Sequence, residues 1–187
     1  MGVPVDARLI WLAVAGVVAA IFIATTAGRP RRPLRVLLVG DSLAVGLTAP
    51  LRADLTRAGA RFHAESQGGS SAALWRSRLP ALVAAHHPDL VLVSVGANDC
   101  RREDSPACVA FRDRTRDLVA IAEGAGARML FLLPDWLTWS SVIADALDES
   151  AAAMYPAVPV PVQPDRVHPT AAGYRAWAGD ISRRISP

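Results

Sequence analysis

The feature that most constrains this chain is a regular alternation of two hydrophobic patterns from residue 34 onward. Short, continuous apolar runs typical of buried strands alternate with longer segments whose apolar residues recur with the spacing of a helix. Strands are predicted at 34–40, 61–65, 89–95, 128–133 and, as an edge strand, 157–162, and helices at 42–59, 72–86, 109–123, 140–153 and 170–184. Because such alternation builds a parallel sheet with helices on both faces, the pattern predicts an α/β fold.

The composition fits one folded domain of this kind. The chain has 187 residues, of which 52% are hydrophobic and 20% are charged. A disordered chain is poorer in apolar residues, so that class is excluded, and the length leaves little for a second domain. The formal net charge of +3 is not clustered on one segment, so no nucleic-acid partner is expected. The cysteines and histidines lack the spacing of a zinc site, and we expect neither a metal nor a cofactor.

An uncharged apolar run precedes the domain. Residues 9–27 carry no charged side chain, and as a helix they are long enough to cross a hydrocarbon core of about 30 Å. We therefore predict one N-terminal transmembrane helix. A cleaved signal peptide is the alternative, because the small residues Thr25 and Ala27 could precede a cleavage site. The predicted organisation is a tail at 1–8, the anchor at 9–27, a linker at 28–33 and the domain at 34–187.

Three polar motifs lie where an α/β sheet places its ligands. In such sheets the ligand binds beyond the carboxyl ends of the strands. One motif follows the first predicted strand, a second follows the strand at 89–95, and a third precedes the last helix. They are Gly40-Asp41-Ser42-Leu43, Gly96-Ala97-Asn98-Asp99 and Asp165-Arg166-Val167-His168-Pro169. Each alone is typical of a turn or a helix cap, but together, in this order, they indicate a catalytic site.

The residue types in these motifs suit nucleophilic catalysis. The Ser42 hydroxyl becomes a nucleophile only when an adjacent base takes its proton, and the His168 imidazole is a suitable base near neutral pH. Asp165, three residues earlier, can fix the tautomer of that imidazole and stabilise its charged form. The developing oxyanion needs preorganised donors. The candidates are the Asn98 amide, the Ser42 backbone N–H and a backbone N–H of the glycine-rich loop at 67–71.

These motifs resemble the conserved blocks of the SGNH hydrolases, also called GDSL esterases/lipases. The matching blocks, in the family's order, are Gly40-Asp41-Ser42-Leu43, Gly68-Gly69, Gly96-Ala97-Asn98-Asp99 and Asp165-x-x-His168-Pro169. The resemblance covers residues 34–187. It implies a three-layer α/β/α sandwich with a flavodoxin-like parallel sheet of about five strands. It also implies cleavage of acyl or acetyl esters without a metal.

The resemblance also assigns roles within the site. It implies that Ser42 is the nucleophile, that His168 is the base and that Asp165 orients the base. It implies an oxyanion hole formed by the Ser42 N–H, the Asn98 amide and a glycine N–H of the second block.

The second block departs from the family pattern. An Asn usually precedes its glycine, whereas Ala64-Glu65-Ser66 occupies that place in this chain. The donor is then Gly68 or Gly69, and the family's pattern of a glycine followed by small polar residues favours Gly69. Asp41 and Asp99 are interpreted as structural residues that hold loop backbone.

Two cysteines bracket a polar loop directly after the second motif. Cys100 and Cys108 are predicted to form a disulfide, with two free thiols as the alternative; a disulfide implies an oxidising compartment. The arginines that follow the apolar run favour the opposite location, because positive residues flank membrane spans on the cytoplasmic side. These residues are Arg29, Arg31, Arg32 and Arg35. The disulfide and the resemblance favour an extracytoplasmic domain.

Two tryptophans follow the strand predicted at 128–133. Trp136 and Trp139 are predicted to line the substrate cleft, because indole offers a flat apolar surface for sugar rings or acyl chains. Packing in the core or in a lid is the alternative for both.

The resulting hypothesis is a membrane-anchored serine esterase acting on acyl or acetyl esters, with cell-envelope glycans as the expected substrates. A lysophospholipase or thioesterase with the same triad is one alternative. A non-catalytic envelope-binding domain, from a different functional class, is another. The expected partners are the ester substrate and, through residues 9–27, a membrane.

Overall fold

In the computed structural model, the described residues are 32–102, 105–147 and 151–186, and their strands form one parallel sheet. The five strands are β1 (Arg35–Gly40), β2 (Arg61–Ser66), β3 (Leu90–Ser94), β4 (Arg128–Leu132) and β5 (Ala153–Met154). Their order across the sheet is β2-β1-β3-β4-β5, and every neighbouring pair is parallel. This is the flavodoxin-like order of doubly wound α/β proteins, so the predicted fold class of the domain is confirmed.

Helices cover both faces of this sheet. Within the described residues they are α1 (Ser42–Arg57), α2 (Ala72–His86), α3 (Pro106–Gly124), α4 (Ser140–Asp145) and α5 (Ala171–Ile185). Successive side chains of a strand point to opposite faces. Along β1, Leu37 and Val39 therefore join the hydrophobic cluster under α2 and α3, whereas Val36 and Leu38 join the cluster under α1 and α5. The result is the three-layer α/β/α arrangement.

A leucine stripe anchors α1, the helix that begins at Ser42. Its four members recur every four residues, and each is at most 1% exposed; they are Leu43, Leu47, Leu51 and Leu55. Complete burial of a leucine side chain contributes about 1.5–3 kcal/mol to folding. The same hydrophobic cluster includes Trp177 and Ile181 of α5, so α1 and α5 are held against one face of the sheet.

The edge strand predicted at 157–162 is wrong. The strand beside β4 is Ala153–Met154, and the N–H groups of Phe131 and Leu133 donate to the carbonyls of Ala152 and Met154 at 2.8 and 3.0 Å. Residues 157–162 contain two prolines, which lack the N–H that a ladder requires. Their one β-type pairing is an isolated antiparallel bridge from Val162 to Pro169.

The helix predicted at 140–153 is shorter than expected. It ends at Asp145, and the chain then supplies β5. The edge of β4 accounts for this, because its backbone groups form hydrogen bonds with residues 152–154. A longer helix would leave those groups without partners.

The predicted tail at 1–8, the anchor at 9–27 and most of the linker lie outside the described residues. Among the helices of the described part, none combines the length and apolarity that a membrane span requires.

Candidate active site

The turn from β1 into α1 fixes the position of Ser42, the first residue of that helix. Asp41 caps the helix, because its Oδ1 accepts the backbone N–H of Leu43 at 2.9 Å. The Asp41 N–H donates to the carbonyl of Ser94 at 2.9 Å, which ties the turn to the end of β3. A side chain at residue 40 would collide with that carbonyl oxygen, so this approach of two strands requires Gly40.

Asp41 is a buried carboxyl group within this turn. Its burial raises its pKa to about 7, against the opposing effect of the hydrogen bond from Leu43. Among the described residues, its Oδ2 has no hydrogen-bond partner. Asp41 thus orders the backbone of the turn, as the sequence indicated. Because the carboxyl is buried, its ionised form destabilises the fold.

The end of the chain brings His168 to Ser42. The His168 Nε2 lies 2.9 Å from the Ser42 Oγ, and the His168 Nδ1 lies 2.8 Å from the Asp165 Oδ2. Asp165 also accepts the backbone N–H groups of Val167 and His168 at 2.9 and 3.0 Å. The hydrogen bond from the His168 ring, followed by these two backbone bonds, lowers the pKa of Asp165 to about 2.

These contacts select one tautomer of His168. An ionised carboxylate can only accept, so Nδ1 carries the proton that points to Asp165. The Nε2 lone pair is then directed at the Ser42 hydroxyl. The structure therefore brings together the three residues that the sequence singled out, in the order that proton transfer requires.

A tight turn presents Asp165 and His168. The Gln163 backbone N–H donates to the His168 carbonyl at 2.7 Å, and the Gln163 Nε2 donates to the Pro169 carbonyl at 3.0 Å. Arg166 at the tip of the turn has φ = +56°, in the left-handed region. Sequence reasoning missed Gln163, and a polar residue five positions before the histidine is too weak a signal to have identified it.

Three candidate oxyanion donors follow the carboxyl ends of β1, β2 and β3. The Asn98 Nδ2 donates one hydrogen to the Ser70 carbonyl at 3.0 Å, and the amide has a second hydrogen to offer. The backbone N–H groups of Ser42 and Gly69 have no hydrogen-bond acceptor among the described residues. Gly69 has φ = +73°, a conformation that glycine adopts freely and other residues rarely adopt. Gly68 is not among the glycines with positive φ.

The loops that carry these donors are held by buried polar contacts. The Asp99 carboxylate accepts the backbone N–H of Ala72, with its Oδ1 at 3.0 Å, at the start of α2. Burial raises the pKa of Asp99, and Arg114 lies 3.9 Å from it. The Ser70 Oγ donates to the Gly40 carbonyl at 3.3 Å and accepts the Trp75 indole N–H at 2.9 Å. The sequence indicated a structural role for Asp99 but not this role for Trp75.

Cys100 and Cys108 form a disulfide, as predicted from the sequence. It closes the loop that directly follows Asn98 and Asp99, and both cysteines are buried in the hydrophobic cluster under α2 and α3. The disulfide therefore ties the strand-end loop after β3 to the first turn of α3.

The two tryptophans after β4 are half-buried. Trp136 donates its indole N–H to the Val167 carbonyl at 2.9 Å and meets Trp177 edge-on. The Trp139 ring lies 5.4 Å from the Arg101 guanidinium carbon, and its Nε1 has no partner among the described residues. Their predicted contact with substrate stays a prediction.

The described residues contain no group of three or more His, Cys, Asp or Glu side chains arranged to hold a metal ion. The arrangement beside Ser42 is one of a nucleophile, a base, an ionised carboxylate and hydrogen-bond donors. Such a set can perform acyl transfer.

Comparison with protein families gives one match. The sequence matches the model of the GDSL-like lipase/acylhydrolase family over residues 38–176, a range that contains all four motifs beside the site. Among curated proteins, none shows significant sequence similarity to this chain.

Several solved structures share the fold. A lipase/acylhydrolase from Enterococcus faecalis superposes with a TM-score of 0.64 at 19% identity, covering 82% of this chain and 95% of its own. The psychrotrophic esterase EstA from Pseudoalteromonas sp. gives 0.63 at 18%, with coverages of 82% and 99%. The acetyl xylan esterase AlAXEase gives 0.64 at 17%, with coverages of 81% and 100%. At these identities the likeness establishes the fold alone.

Proposed function

Because the chain belongs to the GDSL-like lipase/acylhydrolase family of carboxylic ester hydrolases, we propose that Ser42 attacks the ester carbonyl with His168 as general base. The observation that carries this proposal is the pair of contacts on either side of the imidazole. These are 2.9 Å from Nε2 to the Ser42 Oγ and 2.8 Å from Nδ1 to the Asp165 Oδ2. A serine nucleophile requires this arrangement, in which an adjacent base is oriented by a carboxylate.

The proposed reaction proceeds in two halves. The Ser42 Oγ forms a bond to the carbonyl carbon while its proton moves to the His168 Nε2. The tetrahedral intermediate then expels the alcohol, which takes that proton, and an acyl-enzyme remains. Water attacks the acyl carbon while its proton moves to the His168 Nε2; the bond to the Ser42 Oγ then breaks, the oxygen regains the proton from His168, and the acid is released. Asp165 stabilises the imidazolium in both halves, and its low pKa of about 2 keeps it ionised near neutral pH.

The oxyanion is proposed to bind three donors. They are the backbone N–H groups of Ser42 and Gly69 and the second hydrogen of the Asn98 amide, the groups that have no other acceptor among the described residues. Donors held in place before the reaction stabilise the transition state by about 2.7–4 kcal/mol each.

For the substrate, we favour acetyl esters on a glycan. The side chains of His168 and Asp165 are 34% and 46% exposed, and Asn98 is exposed, so the reacting atoms are open to a bulky polymer. A deep acyl pocket would bury them. One structure with the same fold is described as an acetyl xylan esterase, which supports this choice without deciding it.

We also propose an extracytoplasmic domain tethered by residues 9–27. The Cys100–Cys108 disulfide supports this location, because disulfides persist in oxidising compartments. The apolar run is long enough to act as the tether.

The test is a chain-length series with the full-length protein in detergent micelles. We expect p-nitrophenyl acetate to be hydrolysed faster than the butyrate and the octanoate, and acetylated xylan to release acetate. Ser42→Ala and His168→Ala should each lower kcat/KM by roughly 10³-fold or more.

Each other outcome points to one alternative. The octanoate as best substrate, with hydrolysis of a lysophospholipid or an acyl thioester, would support a lipid hydrolase with the same triad. A folded wild-type protein as inactive as both variants would contradict the proposal and favour an envelope-binding domain.

A further inference from the structure

The turn that carries the proposed base accepts a hydrogen bond from one indole of the segment after β4. The Trp136 Nε1 donates to the carbonyl of Val167 at 2.9 Å, and Val167 directly precedes His168. Among the described residues outside the turn 163–168, Trp136 and Ser42 are the two whose side chains hydrogen-bond to it. Ser42 is the reacting group, so Trp136 is the non-reacting side chain that hydrogen-bonds to the turn, beside the packing of the Val167 side chain against the hydrophobic cluster under α2 and α3.

The Trp136 ring is itself held in place. It packs against both hydrophobic clusters, one on each face of the sheet. Its ring centroid lies 4.9 Å from that of Trp177, at an interplanar angle of 90°. Trp177 is fully buried, and edge-to-face aromatic pairs of this kind prefer one geometry. The indole N–H therefore points at Val167 from a rigid base.

Three successive carbonyls around His168 accept hydrogen bonds. The carbonyls of His168 and Pro169 bind the backbone and side-chain amides of Gln163, which lies within the same turn. Those bonds preserve the shape of the turn but do not attach it to the sheet. The Val167 carbonyl is the acceptor that joins the turn to the segment after β4.

We propose that Trp136 is a positioning residue that holds the His168 imidazole against Ser42. This inference rests on the proposed function, since positioning has a kinetic effect only if His168 is the base. A displacement of about 1 Å in a catalytic group can cost as much as roughly 10²-fold in rate. Trp136 contributes through the backbone of the turn, and the role needs no contact with substrate.

The test compares two tryptophan-to-phenylalanine variants. Trp136→Phe keeps an aromatic ring beside Trp177 but removes the donor to Val167. We expect kcat to fall roughly 10- to 100-fold, with KM within about twofold of the wild type. Trp177→Phe is the matched control. Its indole nitrogen is buried without a partner among the described residues, so the variant loses ring volume and stability but no hydrogen bond. Its kcat should stay within about twofold.

A second readout does not depend on activity. Hydrogen–deuterium exchange of a peptide spanning 163–169 should be faster in Trp136→Phe than in the wild type or in Trp177→Phe. Unchanged exchange in Trp136→Phe overturns the inference, even if the wild type proves inactive and the proposed function fails. An equal loss of kcat in both variants also overturns it, because packing alone would then explain the effect. A rise in KM without a fall in kcat would instead assign Trp136 to substrate binding.

Discussion

The His168 imidazole lies 2.9 Å from the Ser42 hydroxyl, although 126 positions of sequence separate the two residues. Ser42 begins α1, and His168 lies just before α5, the two helices that share the hydrophobic cluster on one face of the sheet. The packing of α1 against α5 therefore helps to bring the nucleophile and the base together.

Removing the Asn98 amide should affect the chemical step. Asn98→Ala is expected to lower kcat for p-nitrophenyl acetate by roughly 10²–10³-fold with little change in KM, because its free hydrogen serves the transition state and not the ground state. The measurement is steady-state kinetics, with circular dichroism as the control for folding. An increase in KM at constant kcat would show that Asn98 binds substrate and does not form the oxyanion hole.

Alanine substitutions at two neighbouring glycines should differ sharply in their effects on stability and activity. Gly69 has φ = +73°, whereas Gly68 does not, and a Cβ at either position would meet no atom within 4 Å. Gly69→Ala should therefore cost roughly 1–2 kcal/mol of stability and displace the donating N–H. Gly68→Ala should resemble the wild type. Urea unfolding and kcat of both variants test this. Equal losses of stability and of kcat at the two positions would contradict the assignment of Gly69 to the proposed oxyanion hole.

The buried Asp41 should make stability depend on pH. Its folded pKa of about 7 lies above the ordinary value of 3.8, so its contribution is greatest below pH 4 and is lost as the pH rises through 7. Asp41→Asn keeps an oxygen for the Leu43 N–H but cannot ionise. Relative to this variant, the wild type should lose up to about 1.4 kcal/mol per pH unit between the two pKa values.

Urea unfolding of both proteins between pH 4 and pH 8 measures that difference. Because other titrating groups are common to both chains, their effects cancel in the comparison. A difference that is constant with pH would mean that Asp41 stays ionised in the folded domain.

The disulfide should stabilise the domain by constraining the unfolded chain. The two cysteines are 8 positions apart, and closing so short a loop is worth about 2–3 kcal/mol on the chain-entropy estimate. In the double variant Cys100→Ser/Cys108→Ser, the free energy of unfolding measured with urea should be lower by that amount. The wild type in reductant should do the same and then react with a thiol reagent, and an unreduced protein that already reacts would contradict the bond.

The sequence was most informative where a strand runs directly into a polar motif. β1 and β3 are continuous apolar runs, and the residues after them, Ser42 and Asn98, could be assigned to the site because parallel strands end at one edge. The start of the last helix was predictable too, because threonine is a preferred N-cap residue. In the structure the Thr170 side chain accepts the Gly173 N–H at 3.1 Å.

Long-range contacts limited the rest of the prediction. The edge strand was placed four residues too late, because its position depends on which segment the open side of β4 can pair with, and not on local hydropathy. The bonds from Trp136 and Gln163 to the histidine turn join an indole and an amide to backbone carbonyls. Every residue has a backbone carbonyl, so the residue types in the turn do not show which carbonyls accept these hydrogen bonds.

The central claim is that Ser42 is the nucleophile, and covalent labelling tests it most directly. The full-length protein would be treated with the organophosphate diethyl p-nitrophenyl phosphate and examined by intact and peptide mass spectrometry. We predict one diethylphosphoryl group per chain, located on Ser42, with no labelling of Ser42→Ala and parallel loss of esterase activity. Equal labelling of Ser42→Ala, or an adduct on another residue that accounts for the lost activity, would contradict the account.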